Sequence, residues 1–318
     1  MEEKIQPIEE HIEPRQANWL IFTTLMLYIG ISVIIGVLGV LFGQSIPFLR
    51  NTMLSYFAGQ AAILLPSLFF VKQKNLKFGK FVRFKGLHPI TIILLPVFTI
   101  AIYPVISLCS YISLLFSDNV ISGKVNEFLV CYPVWFCVLM LAIVPCLVEE
   151  IVFRGVLYQS YRSAGVVKAG ICTAVLFGLF HMNFNQMSYA IAIGILFIVL
   201  NEATGSIVSS MIVHCMINGV SVIASSIQAR MGETADTQVM QNNMTSVTIV
   251  ILNLIILSVF GLVFAFGILW AMVCLEKRTD KIKEMFQKKE KRAEKICSPV
   301  LLVTAFICII MIVAEQLI

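Results

Sequence analysis

Charge is scarce in this chain: of 318 residues only 13% are Asp, Glu, Lys or Arg, and only four are histidine. With 59% apolar residues and a mean hydropathy of +0.92, that scarcity excludes a water-soluble globular domain, which cannot hide so much hydrocarbon; lipid must be the solvent. There is no C-x-x-C and no zinc-type cysteine spacing, so the nine cysteines (109, 131, 137, 146, 172, 215, 274, 297 and 308), mostly inside apolar runs, read as small packing residues. There is no H-E-x-x-H, no internal repeat, no Pro- or Gly-rich linker and no low-complexity tract.

What is present is a series of apolar runs of spanning or near-spanning length: about 19–43, 53–71, 89–117, 130–148, 166–182, 187–200, 205–225, 247–275 and 299–318, the one near 187 being short. The expected fold is an all-α polytopic transmembrane bundle of eight or nine spans. The segment before the first run is acidic and the run is too long for a cleavable signal, so it is expected to stay in the mature protein. Lys and Arg fix the orientation. Six lie between Lys72 and Lys85 and nine between Lys277 and Lys295, and alternating nine spans from a cytoplasmic N-terminus leaves only Arg50, Lys124 and Arg230 outside. The net charge of +5 therefore faces anionic lipid rather than nucleic acid. Ile282, Met285, Phe286 and Ala293 form a stripe in the last basic loop, either a helix lying on the membrane or a solvated one. Asn243-Met244-Thr245, in the longest outer loop, is a glycosylation sequon where host and compartment allow. The chain divides into 1–129 with three spans, a core at 130–225, and 226–318 with an outer loop, a span, the basic loop and a last span.

The first, second, third and eighth runs carry no Asp, Glu, Lys, Arg or His, whereas Glu149, Glu150, Arg154, His181 and His214, with Asn218, cluster in the core. Ionisable groups at membrane depth are costly and mark function by default. Glu150 and Arg154, four apart, project within about 40° of each other with the acid first, which suits a helical ion pair. Glu149 points elsewhere and is free for chemistry. A buried acid beside an imidazole can exchange a proton near neutral pH, as deprotonating a water and then protonating a leaving amine requires. His181 is the partner if the fourth and fifth runs form a hairpin, although a turn near residue 163 sets it opposite Val144 rather than Glu149. His214 and Asn218 share one helical face, and two donors there suit an oxyanion. The charged end of the fourth span is expected to open the site to the cytoplasm.

Glu149-Glu150-Ile151-Val152-Phe153-Arg154 (E-E-x-x-x-R), Phe177 to His181 (F-x-x-x-H) and His214 to Asn218 (H-x-x-x-N), in that order on apolar helices, resemble the signature of the CAAX-protease and bacteriocin-processing (CPBP) family of intramembrane glutamic endopeptidases, over roughly residues 130–225. The resemblance implies a membrane endopeptidase without a cofactor. Glu149 and His181 would activate a water, His214 and Asn218 would hold the oxyanion, and Glu150 with Arg154 would support them. It also implies a membrane-associated or lipidated peptide or protein as substrate, and the plasma membrane as the expected location. Three alternatives remain: a zinc-dependent membrane metalloprotease using Glu149, His181 and His214, a non-enzymatic immunity or scaffold protein, and a transporter in which intramembrane Glu and His relay protons.

Overall fold

The computed structural model describes residues 12–46, 48, 52–117, 122–231, 244–287 and 295–317, and among them there is no strand. Nine long rods carry the chain: α1 (Pro14–Phe42), α2 (Thr52–Gln73), α3 (Pro89–Leu114), α4 (Val134–Ala164), α5 (Val166–Leu179), α6 (Phe184–Thr204), α7 (Ile207–Met231), α8 (Met244–Leu275) and α9 (Pro299–Leu317). Eight are long and apolar enough to cross a membrane, so the molecule is an all-α, multi-pass membrane protein. The sequon lies at the border of the described residues, since Asn243 falls outside them, as does Ala293 of the basic stripe; Ile282, in the helix Thr279–Gln287, packs on the apolar core formed by α3, α6, α7 and α8.

The short rod is not the one hydropathy marks. α6 runs a full 21 residues because the polar groups that make its ends look like loops are buried in protein: Asn183, Asn185, Asn201 and Glu202 are all under a tenth exposed. α5 has only 14 residues, about 21 Å of rise against roughly 30 Å of hydrocarbon. It ends at membrane depth in the irregular segment 180–183, where Met182 takes φ 49°. Non-helical backbone survives at that depth only where protein or a water-filled cavity surrounds it. Here α6 encloses it: a Cβ at Gly178 would lie 2.9 Å from the Met187 carbonyl oxygen and 2.5 Å from Ile191, so only glycine permits this approach.

α4 departs from expectation in a second way. It does not end near Val148 but continues to Ala164, and Glu149 and Glu150 stand near its middle. Residues 152–158 beyond them are all buried. Pro145 supplies no N–H to the preceding turn, and the backbone widens to π geometry over Leu139–Ile143, with the Val144 amide bonded five residues back to Leu139. A second π segment, Glu150–Leu157, starts at the acids themselves.

At the Arg-rich end of the bundle the carboxylate of Glu202, a residue the sequence reading passed over, gathers three guanidinium groups. Arg83 Nη1 lies 2.6 Å from Oε1, Arg162 Nη2 3.2 Å and Arg278 Nη2 3.5 Å from Oε2, and the Tyr158 hydroxyl donates at 3.0 Å. This one acid joins the loop before α3, the end of α4, α6 and the loop after α8. Removing it leaves three cations facing one another. Glu202→Ala should therefore cost roughly 3–5 kcal/mol, measured as a lowered midpoint of thermal unfolding in detergent, with Glu202→Gln intermediate.

Candidate active site

Among the described residues, Arg154 on α4 is the largest fully buried side chain. Its Nη1 donates to Glu150 Oε1 at 2.8 Å. The guanidinium carbon lies 3.9 Å from the centroid of Phe177 and 5.2 Å from that of Phe197, so aromatic faces from α5 and α6 stand where further hydrogen-bond partners would otherwise be needed. Nε and Nη2 of Arg154 have no other acceptor.

Glu150, also fully buried, has both of its oxygens engaged. Oε1 accepts from Arg154 and from His214 Nδ1 at 3.0 Å, and Oε2 accepts from the Ser210 hydroxyl at 2.6 Å. One carboxylate thus locks α4 to α7 and fixes the imidazole of His214, whose ring also packs on Phe177 and Phe197 with centroids 6.0 and 5.5 Å apart. With Nδ1–H committed to Glu150, Nε2 of His214 faces Glu149 Oε2 at 3.7 Å, longer than a direct hydrogen bond. The Glu149 side chain is 18% exposed while those of Glu150 and Arg154 are fully closed off. The two adjacent acids therefore occupy different environments, one closed off by its partners and one partly exposed.

His181 follows the last turn of α5. Its Nδ1–H donates to the Phe177 carbonyl at 2.8 Å, which leaves Nε2 as the free nitrogen, and its ring stands edge-on to Phe177 at 4.8 Å. The hairpin register differs from a turn centred near 163. Phe153 and Phe177 meet at 5.2 Å, so in an antiparallel pair His181, four residues beyond Phe177, comes level with Glu149, four residues before Phe153. The cause is the turn itself: a 3₁₀ turn at Arg162–Ala164 and Gly165 at φ 110° place its centre two residues later. Glu149 acts electrostatically on both His181 and the hydroxyls of Tyr56 and Tyr189. Neither tyrosine is distinguishable in sequence from other interfacial aromatics. Asn218, one turn beyond His214 on α7, is half-buried and has no hydrogen-bond partner among the described residues.

All six residues singled out from sequence thus lie on α4, the end of α5 and α7, around the Phe177 and Phe197 rings. Among the described residues no three His, Cys, Asp or Glu side chains form a metal-binding group. Cys146 and Cys215 are not simple packing residues: they are disulfide-bonded, with Cα atoms 5.7 Å apart. The bond ties α4, three residues before Glu149, to α7, one residue after His214. The other cysteines are free.

Residues 132–220 match the model of the family described as type II CAAX prenyl endopeptidase, Rce1-like. No curated protein and no solved structure gives a significant match. The matched segment runs from α4 into the first half of α7 and takes in all six residues singled out from sequence, while Tyr56, Arg83 and Arg278 lie outside it.

The two acids are separable by experiment. Glu150→Ala strands Arg154 without its anion and should lower stability by roughly 3–5 kcal/mol. Glu149→Ala should change it by no more than about 0.5 kcal/mol. Thermal unfolding of the two purified variants checks both.

Proposed function

We propose that the chain, whose residues 132–220 match the type II CAAX prenyl endopeptidase family model, is a membrane endopeptidase of that family and cleaves its membrane-associated substrate as a glutamic endopeptidase, with a water as nucleophile. The observation that carries this reading is the contrast between two adjacent carboxylates: Glu150 is fully buried and held by Arg154, His214 and Ser210, whereas Glu149 is partly exposed with His214 Nε2 3.7 Å from its Oε2.

In this reading Glu149, assisted by Nε2 of His181, takes a proton from a water as its oxygen adds to the scissile carbonyl carbon. The resulting oxyanion is held by Nε2–H of His214 and by the side-chain amide of Asn218. Preorganised donors of this kind, in a dry site, do most of their work on the developing charge. The proton held by Glu149 then passes to the leaving nitrogen, the C–N bond breaks, and the carboxylate is regenerated. Glu150 and Arg154 touch no reacting atom. They hold His214 and the Phe177 face on which His181 rests. We place the N-terminus in the cytoplasm, from the distribution of Lys and Arg.

The test uses purified protein in detergent and an internally quenched peptide carrying a prenylated CAAX cysteine. Glu149→Gln, His181→Ala and His214→Ala should each lower kcat/KM by at least ~10³, and Asn218→Ala by about 10², with folded yield unchanged. Excess chelator should leave turnover intact. Robust cleavage by Glu149→Gln sinks the glutamic mechanism, and stoichiometric zinc with chelator-sensitive turnover replaces it by the metal reading. If only wild-type cellular function survives in Glu149→Gln, the scaffold reading takes over.

A further inference from the structure

The last rod, α9, lies outside the segment that matches the family model. It starts at the Arg-rich end, where Asn18 of α1 donates to the Ile296 carbonyl at 2.8 Å and accepts from the Tyr161 hydroxyl at 2.6 Å. From there it runs beside α1, α5 and α6. Its buried side chains, Leu301, Thr304, Cys308 and Ile312, recur at helical spacing, and Glu315 is the next position on that face.

At the far end this face meets the irregular segment that carries His181. Phe180 and Met182 pack on the cluster formed by Leu25, Leu179, Cys308 and Ile312, whereas His181, between them in sequence, packs on Phe177. Alternate residues of the segment are thus divided between α9 and the site. Asn183, 1% exposed, uses both ends of its amide: Oδ1 accepts from the Gln186 N–H at 2.9 Å and caps α6, and Nδ2 donates to Glu315 Oε2 at 3.0 Å.

We propose that α9 is a positioning element of the active site: Glu315 anchors Asn183, and this contact, with the Phe180 and Met182 packing, sets the segment 180–183 so that His181 faces Glu149. The physical need is plain. α5 stops within the membrane, so its last residues have no helical continuation to hold them, and backbone with few hydrogen bonds of its own drifts unless a neighbour fixes it. A displacement of about 1 Å in a general base is enough to cost on the order of 10²-fold in rate. Glu315 itself touches no reacting group. The inference rests on the glutamic reading above for the role of His181, but the anchoring of the segment can be measured without it.

Three variants in detergent, Glu315→Ala, Glu315→Gln and Glu149→Gln, are compared by hydrogen exchange and by turnover of the quenched prenylated peptide. In Glu315→Ala, amides of residues 178–187 should exchange at least tenfold faster while those of 144–160 are unchanged. Its kcat should fall about ten- to a hundredfold with KM within about twofold. Glu315→Gln still offers Asn183 an acceptor oxygen and should restore both. Unchanged local exchange in Glu315→Ala overturns the proposal, as does faster exchange throughout the protein, which marks a merely structural role. Wild-type kcat despite a loosened segment also overturns it, provided Glu149→Gln is inactive. Should Glu149→Gln cleave as well as wild type, the glutamic reading falls, and the exchange data alone still decide whether α9 holds the segment.

Discussion

A fully buried arginine has to be neutralised where it stands, and the bundle is organised around how this is done. Arg154 takes one carboxylate oxygen from Glu150 and two aromatic faces from Phe177 and Phe197. Each of these partners then constrains something else. Glu150 extends to Ser210 and His214 and so ties α7 to α4. Phe177 carries the ring of His181 and faces that of His214. Phe197 brings α6 against the same imidazole. An ion pair in low dielectric is weak grounds for net stability, since desolvation offsets most of the attraction. Its stronger consequence here is geometric: four elements share one acid and one cation, and none can rotate without exposing an unpaired charge.

Two further fastenings bracket this centre. Toward the Arg-rich end, Glu202 joins Arg83, Arg162 and Arg278, which come from three separate segments. Close to the acids, the Cys146–Cys215 bond spans 69 residues of chain between α4 and α7, and closing a loop of that length restricts the unfolded chain as well as the folded one. The site is therefore held by a salt-bridge cluster on one side, a covalent link beside it and α9 on the other. Glu149 and Asn218 take no part in these fastenings, and the proposed mechanism gives both a chemical role beside His181 and His214.

Much of this was legible before any coordinates. In a chain this poor in charge, Glu149, Glu150, Arg154, His181 and His214 stand out against hydrocarbon, and helical projection alone separates the two acids and pairs Glu150 with Arg154. What sequence did not reveal has specific causes. Hydropathy treats polar residues as helix ends, so α6 was shortened at Asn183 and Glu202, both of which are buried by neighbouring protein. Glu202 was lost for the same reason. The depth of His181 depended on the turn, where a shift of two residues to Gly165 moves the partner of His181 from the region of Val144 to Glu149. The pairing of Cys146 with Cys215 depends on how α4 lies against α7, which no spacing rule encodes. Glu315, close to the end of the sequence and three residues beyond an apolar face, looks like an ordinary interfacial acid until Asn183 is found beside it.

The α4–α5 hairpin has a consequence for how such a chain can vary. Because the Phe153–Phe177 contact and the Gly165 turn together fix the level of His181, the stretch between them behaves as a ruler. Substitutions along it leave the graduation intact. A single inserted or deleted residue inside α5 would swing everything beyond it by about 100° and 1.5 Å, taking the imidazole away from the carboxylate while hydropathy, burial pattern and all three motifs stayed readable. Length in this hairpin is thus the quantity that drift cannot touch, and a chain with intact motifs but altered spacing there would have lost the reaction centre without any outward sign.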